Sequence, residues 1–363
     1  MSSTSYIRRI WNVSKALDLA LVDEEVEKGL NLKIGLHHGE RVGYISLRLG
    51  LALGMNEEEL RRILIAGLLH DIGAVGGFTK FHGNPYWMKE HTLLGAEIIK
   101  NFPDGEALAE IILHHHEAPN PTHAVLKAEP SQVSLMAKIV AFADKLDVNL
   151  SRKVLSRPER ERVIEFVKHQ EGNLLYGEVV PAFLKVAETE GFWLDLEVGD
   201  LLEISLDHLY HPWELENIEE NVTSLLATTF AELIDQKSSF TARHSISVAT
   251  TVKALAEGLG WQGESLRDIE IAGLLHDLGK MSVPRKILDK PGPLDPPEVD
   301  IIRTHTYHTY HLLKGAGFPK HLIQWAAFHH ERLDGKGYPF GLTEDKLDTG
   351  ARLMTIADIF VAL

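Results

Sequence analysis

Two series of histidines and carboxylates run through this chain in step. His38 and His70 stand 32 residues apart, as do His244 and His276, and the second histidine of each pair is followed at once by Asp71 or Asp277. His91 precedes His115 by 24 residues and His305 precedes His329 by 24; His115 and His329 each open a His-His-Glu triplet, and Asp144 and Asp358 lie 29 residues beyond them. Imidazoles and carboxylates are ligands for divalent metals. Each copy supplies seven: His38, His70, Asp71, His91, His115, His116 and Asp144 in the first, and His244, His276, Asp277, His305, His329, His330 and Asp358 in the second. Such a set exceeds the needs of one tetrahedral ion and suits two octahedral ions sharing a carboxylate. In the second copy His244, His276, Asp277 and Asp358 are assigned to one ion, and Asp277, His305, His329 and His330 to the other, with Asp277 as the bridge. Two cations about 4 Å apart share a water, lower its pKa and hold it for in-line attack on phosphorus, so the expected nucleophile is a bridging hydroxide. Lys280, three residues after Asp277, is suited to neutralise charge developing on a non-bridging oxygen.

A lone histidine is usually a hydrogen-bonded core or surface residue, but that reading fails for the aligned set. Ten of the 20 histidines fall at matched positions, and the copies share IAGLLHDIG at Ile65–Gly73 and IAGLLHDLG at Ile271–Gly279. An internal duplication explains the register. It also sets aside His308 and His311, matched by Leu94 and Glu97, and His37 and His114, matched by Arg243 and Phe328. Only the segment before the third histidine differs in length, 21 residues from His70 to His91 and 29 from His276 to His305.

Helices must hold these ligands. Apolar residues recur at three and four along Arg62 to Leu69, Leu94 to Ile99, Val133 to Phe142, Val248 to Leu259 and Leu322 to Ala327, with little strand-like alternation. The fold class expected is all-α: an N-terminal helical segment at 1–30, a first domain at 31–195, a linker with a connecting helix at 196–237, and a second domain at 238–363. The second copy stops five residues past Asp358, so its C-terminal helices are expected to be missing. The His-Asp pair closes a helix just before Gly73 or Gly279, where a glycine suits a left-handed terminal turn. Adjacent histidines point about 100° apart and can grip one ion only near a helix end.

Composition narrows the function. A chain of 363 residues with 44% hydrophobic content has room for two cores. With no cysteine, any metal is held by nitrogen and oxygen donors alone. A net charge of −15 argues against duplex nucleic acid or an anionic membrane as partner. A small anionic ligand stays compatible if metals supply local positive charge. The N-terminus has no signal-peptide zones and no apolar run is long enough to span a bilayer, so a cytoplasmic protein is expected.

The ligand order resembles the HD superfamily of metal-dependent phosphohydrolases. From Phe240 to Leu363 the resemblance sharpens: HDLGK at His276–Lys280, KPG at Lys290–Gly292 and HHERLDGKGYP at His329–Pro339 look like the HD-GYP family, phosphodiesterases of bacterial cyclic dinucleotides. The resemblance implies two tandem HD-type helical domains and two divalent ions, iron, manganese or similar, in the second. It implies that cyclic di-GMP or 3′,3′-cyclic GMP-AMP is opened to a linear dinucleotide, with Asp277 and Lys280 catalytic and Lys280 and Lys290 contacting substrate. The GYP turn, with Gly335 and Gly337 in its loop, is linked in that family to signalling-protein contacts. Some members bind a third ion through a glutamate four residues before the first histidine; Phe240 stands there, which favours two. The first copy keeps all seven ligand types, so it too is a candidate for metal. Yet it has Ala74 where the second has Lys280, and HHEAPNPTH where the second has HHERLDGKGYP. It is therefore either a regulatory or structural domain or a second site with another preference. Two rivals to the enzyme reading stay open, a non-catalytic sensing or partner-binding module and a general nucleotide phosphohydrolase.

Overall fold

Helical periodicity is realised in the computed structural model, which describes residues 3–27, 37–74, 85–150, 155–209, 219–237 and 243–363; among them are helices, short 3-10 turns, connecting loops and no strand. No helix is long and apolar enough to cross a membrane. By its contacts the chain divides into two compact units, Lys28–Glu214 and a composite of Met1–Glu27 with Leu215–Leu363.

The N-terminal helix α1 (Ser3–Glu27) therefore belongs with the C-terminal half. Its Ile10, Trp11, Val13, Ala16 and Leu17 are buried, Arg9 donates to Thr223, and its guanidinium lies over the Phe318 ring at 5.3 Å. A segment with so much apolar surface to cover does not stand by itself at 1–30. The boundary drawn at residue 30 falls in 28–36, outside the described residues, as do 238–242 with Phe240.

The first unit is built from α2 (His38–Ala52), α3 (Glu57–Leu69), α4 (Pro85–Ile99), α5 (Gly105–His114) and α6 (Leu135–Asn149), followed by α7 (Arg157–Gln170), α8 (Val180–Ala187), α9 (Glu190–Val198) and α10 (Leu201–His208). Asn56 opens α3 with a capping box to Glu59, and Ser134 caps α6, so both start sharply. The stretch from 196, expected to be linker, begins inside α9. Arg41 donates to the Leu196 carbonyl at 2.7 Å and Tyr44 to the Asp195 carboxylate at 2.5 Å, which ties α9 to α2 within the first unit.

The second unit repeats the plan with α11 (Glu219–Lys237), α12 (His244–Gly258), α13 (Gly263–Leu275), α14 (Arg285–Leu288), α15 (Pro296–Gly315), α16 (Lys320–Ala327) and α17 (Thr349–Ala362). The expected connecting helix, α11, is core here: Leu226, Ala227, Phe230, Ala231, Leu233 and Ile234 are buried. In both units the glycine of IAGLL lets two helices cross closely. A Cβ on Gly67 would lie 2.7 Å from Gly43 Cα, and one on Gly273 2.6 Å from Ala249 Cα. The close crossing sets the first histidine, at the start of α2 or α12, beside the second, at the end of α3 or α13.

Candidate metal centres

Helix ends carry several of the ligands: His38 and His244 open α2 and α12, whereas His91, His305, Asp144 and Asp358 lie inside α4, α15, α6 and α17. His70 and His276 are the C-caps of α3 and α13, His115 caps α5, and His329 follows α16 by one residue beyond its cap Phe328. At these positions the ring can turn back on its own helix. Nδ1 of His70, His115, His276, His305 and His329 lies 2.6–2.8 Å from the carbonyl three residues earlier, at Gly67, Ile112, Gly273, Ile302 and Ala326. A carbonyl only accepts, so Nδ1 carries a proton and Nε2 is the atom turned toward the cluster.

The Nε2 atoms converge. Nε2 of His305 and His329 approach to 3.4 Å, and Nε2 of His91 and His115 to 3.3 Å. Burial, reinforced by neighbouring rings, pushes His115 and His329 down to about 3; burial also takes His305 to about 3. Facing lone pairs on neutral rings repel unless a cation lies between them. At the other end of each cluster burial is outweighed by carboxylates: Asp144 and Asp147 hold His38 well above its usual pKa, and Asp277 holds His276 above it. The field that favours a proton there also favours a metal ion.

The aspartate of each pair faces both ends. Asp277 Oδ2 lies 3.2 Å from His276 Nε2 and 3.9 Å from His244 Nε2, while its Oδ1 lies 3.4 Å from His305 Nε2 and 3.9 Å from His329 Nε2. Asp71 repeats this, Oδ2 toward His70 (3.3 Å) and His38 (3.9 Å), Oδ1 toward His91 (3.5 Å) and His115 (3.9 Å). Asp358 lies 3.1 Å from His244 and 4.0 Å from His330; Asp144 lies 3.4 Å from His38 and 3.5 Å from His116. All fourteen ligand candidates thus meet in two clusters. Among the described residues, ligand atoms within 4.8 Å of one another group as His38, His70 and Asp71; as Asp71, His91, His115 and His116; as His244, His276 and Asp277; and as His305, His329 and His330. His276 Nε2 and Asp277 Oδ1 are buried without a hydrogen-bond partner, which a metal would remedy. The donor set fits divalent ions of the nitrogen- and oxygen-loving kind.

Gly73 and Gly279 correct one expectation. Neither has a positive φ. Each lies in a 3-10 turn, Ile72–Ala74 or Leu278–Ser282, pressed against the helix that bears the third histidine. A Cβ on Gly73 would come 2.2 Å from the His91 carbonyl oxygen, and one on Gly279 1.9 Å from that of His305. The glycine serves close approach of two backbones, not a left-handed cap.

The clusters differ in cover and charge. Side chains of His38 and His116 are 3% and 7% exposed, whereas their counterparts His244 and His330 are 14% and 32% exposed, so the second cluster is the open one. Lys280 Nζ lies 2.6 Å from Asp277 Oδ2. Lys290 is not brought to the cluster; its ammonium pairs with Glu298 in the capping box of α15. The GYP loop folds back over the ligands: the Tyr338 amide donates to the His330 carbonyl, the Tyr338 ring lies 4.9 Å from the His330 ring, and Arg303 lies over the Tyr338 ring at 5.3 Å. Gly335 has φ 72°, and a Cβ on Gly337 would meet the Arg332 nitrogen at 2.4 Å, so both glycines are required by the turn.

Two contributors escaped the sequence reading. The glutamate of each His-His-Glu is buried and accepts backbone N–H groups nine and eleven residues on: Glu331 from Phe340 (2.7 Å) and Leu342 (2.9 Å), Glu117 from Leu126 (2.6 Å) and Ala128 (2.7 Å). Its presence in both triplets was the available signal. Asp147, three residues after Asp144 on α6, contacts His38 Nδ1 at 2.8 Å, and only the helical spacing hinted at it.

Comparison with known proteins agrees with this geometry. Residues 35–149 and residues 228–363 each match a family model described as an HD domain. The chain is 28% identical to 3′3′-cGAMP-specific phosphodiesterase 1 of Vibrio cholerae serotype O1, over 97% of this chain and 81% of that protein. It is 39% identical to the cyclic di-GMP phosphodiesterase response regulator RpfG of Xanthomonas campestris pv. campestris, over 41% of this chain and 39% of that one. The solved structure of V-cGAP3, described as a cyclic GMP-AMP specific phosphodiesterase of V. cholerae, superposes with a TM-score of 0.67 at 22% identity, covering 98% of this chain and 87% of that chain; the fold is shared.

Proposed function

We propose, for a chain that belongs to the HD-domain family in both its halves, that the second cluster hydrolyses a bacterial cyclic dinucleotide, cyclic di-GMP or 3′,3′-cyclic GMP-AMP, to a linear dinucleotide. One water is consumed: a P–O bond of the ring breaks, the hydroxyl joins phosphorus and the proton goes to the leaving oxygen. The observation that carries this reading is the openness of the second cluster beside Lys280, against a closed first cluster with Ala74 at the matching place.

Two divalent ions, once bound, would supply an acidified water and positive charge toward the phosphoryl oxygens. His244, His276 and Asp358 would hold one, His305, His329 and His330 the other, and Asp277 would offer one oxygen to each. Lys280, whose ammonium lies 2.6 Å from Asp277 Oδ2, would offset charge on a phosphoryl oxygen. Tyr338 and Arg303 wall the opening at His330, where an anionic ligand would enter. Leu333 and Phe340, half exposed in this loop, would offer apolar surface to a signalling partner. A cytoplasmic site of action goes with such a substrate.

The test is direct. Purified protein supplied with Mn²⁺ or Fe²⁺ and offered a panel of cyclic dinucleotides gives linear product, detected by chromatography. Asp277→Ala abolishes it and Asp71→Ala retains at least part. If Asp71→Ala is the more damaging change, the roles of the two clusters are reversed; if neither metal supports turnover, a sensing module is the better reading.

A further inference from the structure

The entry histidines of the two clusters are held differently. His38 is gripped from behind: Nδ1 lies 2.8 Å from Asp147 Oδ2, and Asp147 Oδ1 accepts from Arg41 Nε at 2.6 Å. Asp147 is wholly buried, and Arg41 is anchored in turn on the Leu196 carbonyl. A carboxylate behind a ligand histidine fixes its tautomer and ring orientation and raises its basicity. Here it turns Nε2 toward Asp144 and Asp71.

The repeat gives the second cluster no such device. The residues matching Arg41 and Asp147 are Ser247 and Val361. His244 hydrogen-bonds through Nε2 to Asp358, and among the described residues Nδ1 has no such partner. An independent difference acts in the same direction. Lys280 puts an ammonium 2.6 Å from Asp277 Oδ2, where it competes with a cation for that oxygen, whereas Ala74 stands at the corresponding place in the first unit. Lys145, the cation next to Asp144, donates instead to the Glu117 carbonyl at 2.8 Å.

We infer that Asp147, braced by Arg41, is a positioning residue for a metal ligand, and that it makes the first cluster the tighter metal site of the two. The first unit then keeps its metal while the second exchanges it. This rests on the reading that both clusters bind metal.

The experiment uses the full chain with one cluster disabled at a time. Asp277→Ala reports the first site and Asp71→Ala the second; each is stripped by chelation and titrated with Mn²⁺, the free ion being followed by electron paramagnetic resonance. The first site is expected to bind at least about tenfold more tightly, and Asp147→Asn in the Asp277→Ala background should weaken it by about 10–100-fold. That loss must appear in a protein whose circular dichroism without metal is unchanged, which a merely structural role would not give. Should Asp147→Asn fold poorly, the comparison of the two single-site variants stands without it. Equal affinities, or a tighter second site, overturn the inference while leaving metal binding intact. Absence of Mn²⁺ binding in both variants overturns the metal reading and the inference with it.

Discussion

At the scale of single residues, the sites depend on atoms that are missing as much as on those present. Gly279 places no side chain between the 3-10 turn after Asp277 and the backbone of α15, and so the Asp277 carboxylate reaches His305. Its neighbour is a backbone carbonyl in a packed helix, which cannot swing aside as a side-chain end could. Gly279→Ala is therefore expected to destabilise the second unit by at least about 1–3 kcal/mol and to depress its turnover, read by thermal unfolding and by assay. Gly258, exposed at the end of α12 with nothing within 4 Å of an added Cβ, is the control. Gly258→Ala should leave stability unchanged or raise it by about 0.5–1 kcal/mol. If the two substitutions cost the same, close approach is not what Gly279 provides.

Among elements, the decisive one is the loop that follows each histidine pair. Glu331 holds residues 340 and 342 by their N–H groups, and the loop so held sets Tyr338 against His330. Glu331→Gln keeps the size but offers one acceptor where two are needed. A hydrogen bond to a charged group contributes about 1.5–3 kcal/mol, so a loss of roughly tenfold or more in kcat/KM is expected, with metal content retained because Glu331 lies outside the groups of ligand atoms. Steady-state kinetics paired with metal analysis decides it; loss of metal in step with activity would show that the glutamate supports the ligands and not the loop. Glu117→Gln, making the same bonds in the first unit, should leave turnover nearly unchanged. The ligands and the helices bearing them were legible because duplication printed the same pattern twice. The hold of Glu331 on its loop was half legible. The glutamate recurs in both triplets, but its partners are backbone N–H groups, which have no residue type to read. Asp147 was hidden for a related reason: its partner His38 is more than a hundred residues away, and Val361 at the matching position removed the repeat's help.

On the scale of the whole molecule, the chain order is not the packing order. Helical content and the duplicated plan follow from apolar periodicity and spacing, yet nothing local in α1 says which half it covers, since an amphipathic helix advertises a face and not its partner. The contacts assign it to the unit carrying α11–α17. Trp11 and Ile10 are fully buried there, and Asn12 lies beneath Gly315, where an added Cβ would come within 2.5 Å of its side-chain oxygen. Removing a buried tryptophan side chain costs about 3–5 kcal/mol, a large share of the about 5–15 kcal/mol that holds a domain folded. Trp11→Ala should therefore lower the melting transition of the second unit and its phosphodiesterase activity, although the residue precedes the whole first domain in the chain. The transitions can be assigned by calorimetry with and without Mn²⁺. The one that Asp277→Ala no longer lets Mn²⁺ raise belongs to the second unit, and the one that Asp71→Ala no longer lets it raise belongs to the first. A Trp11→Ala protein in which the first unit's transition falls and the second's stays would refute the assignment of α1 to the C-terminal half.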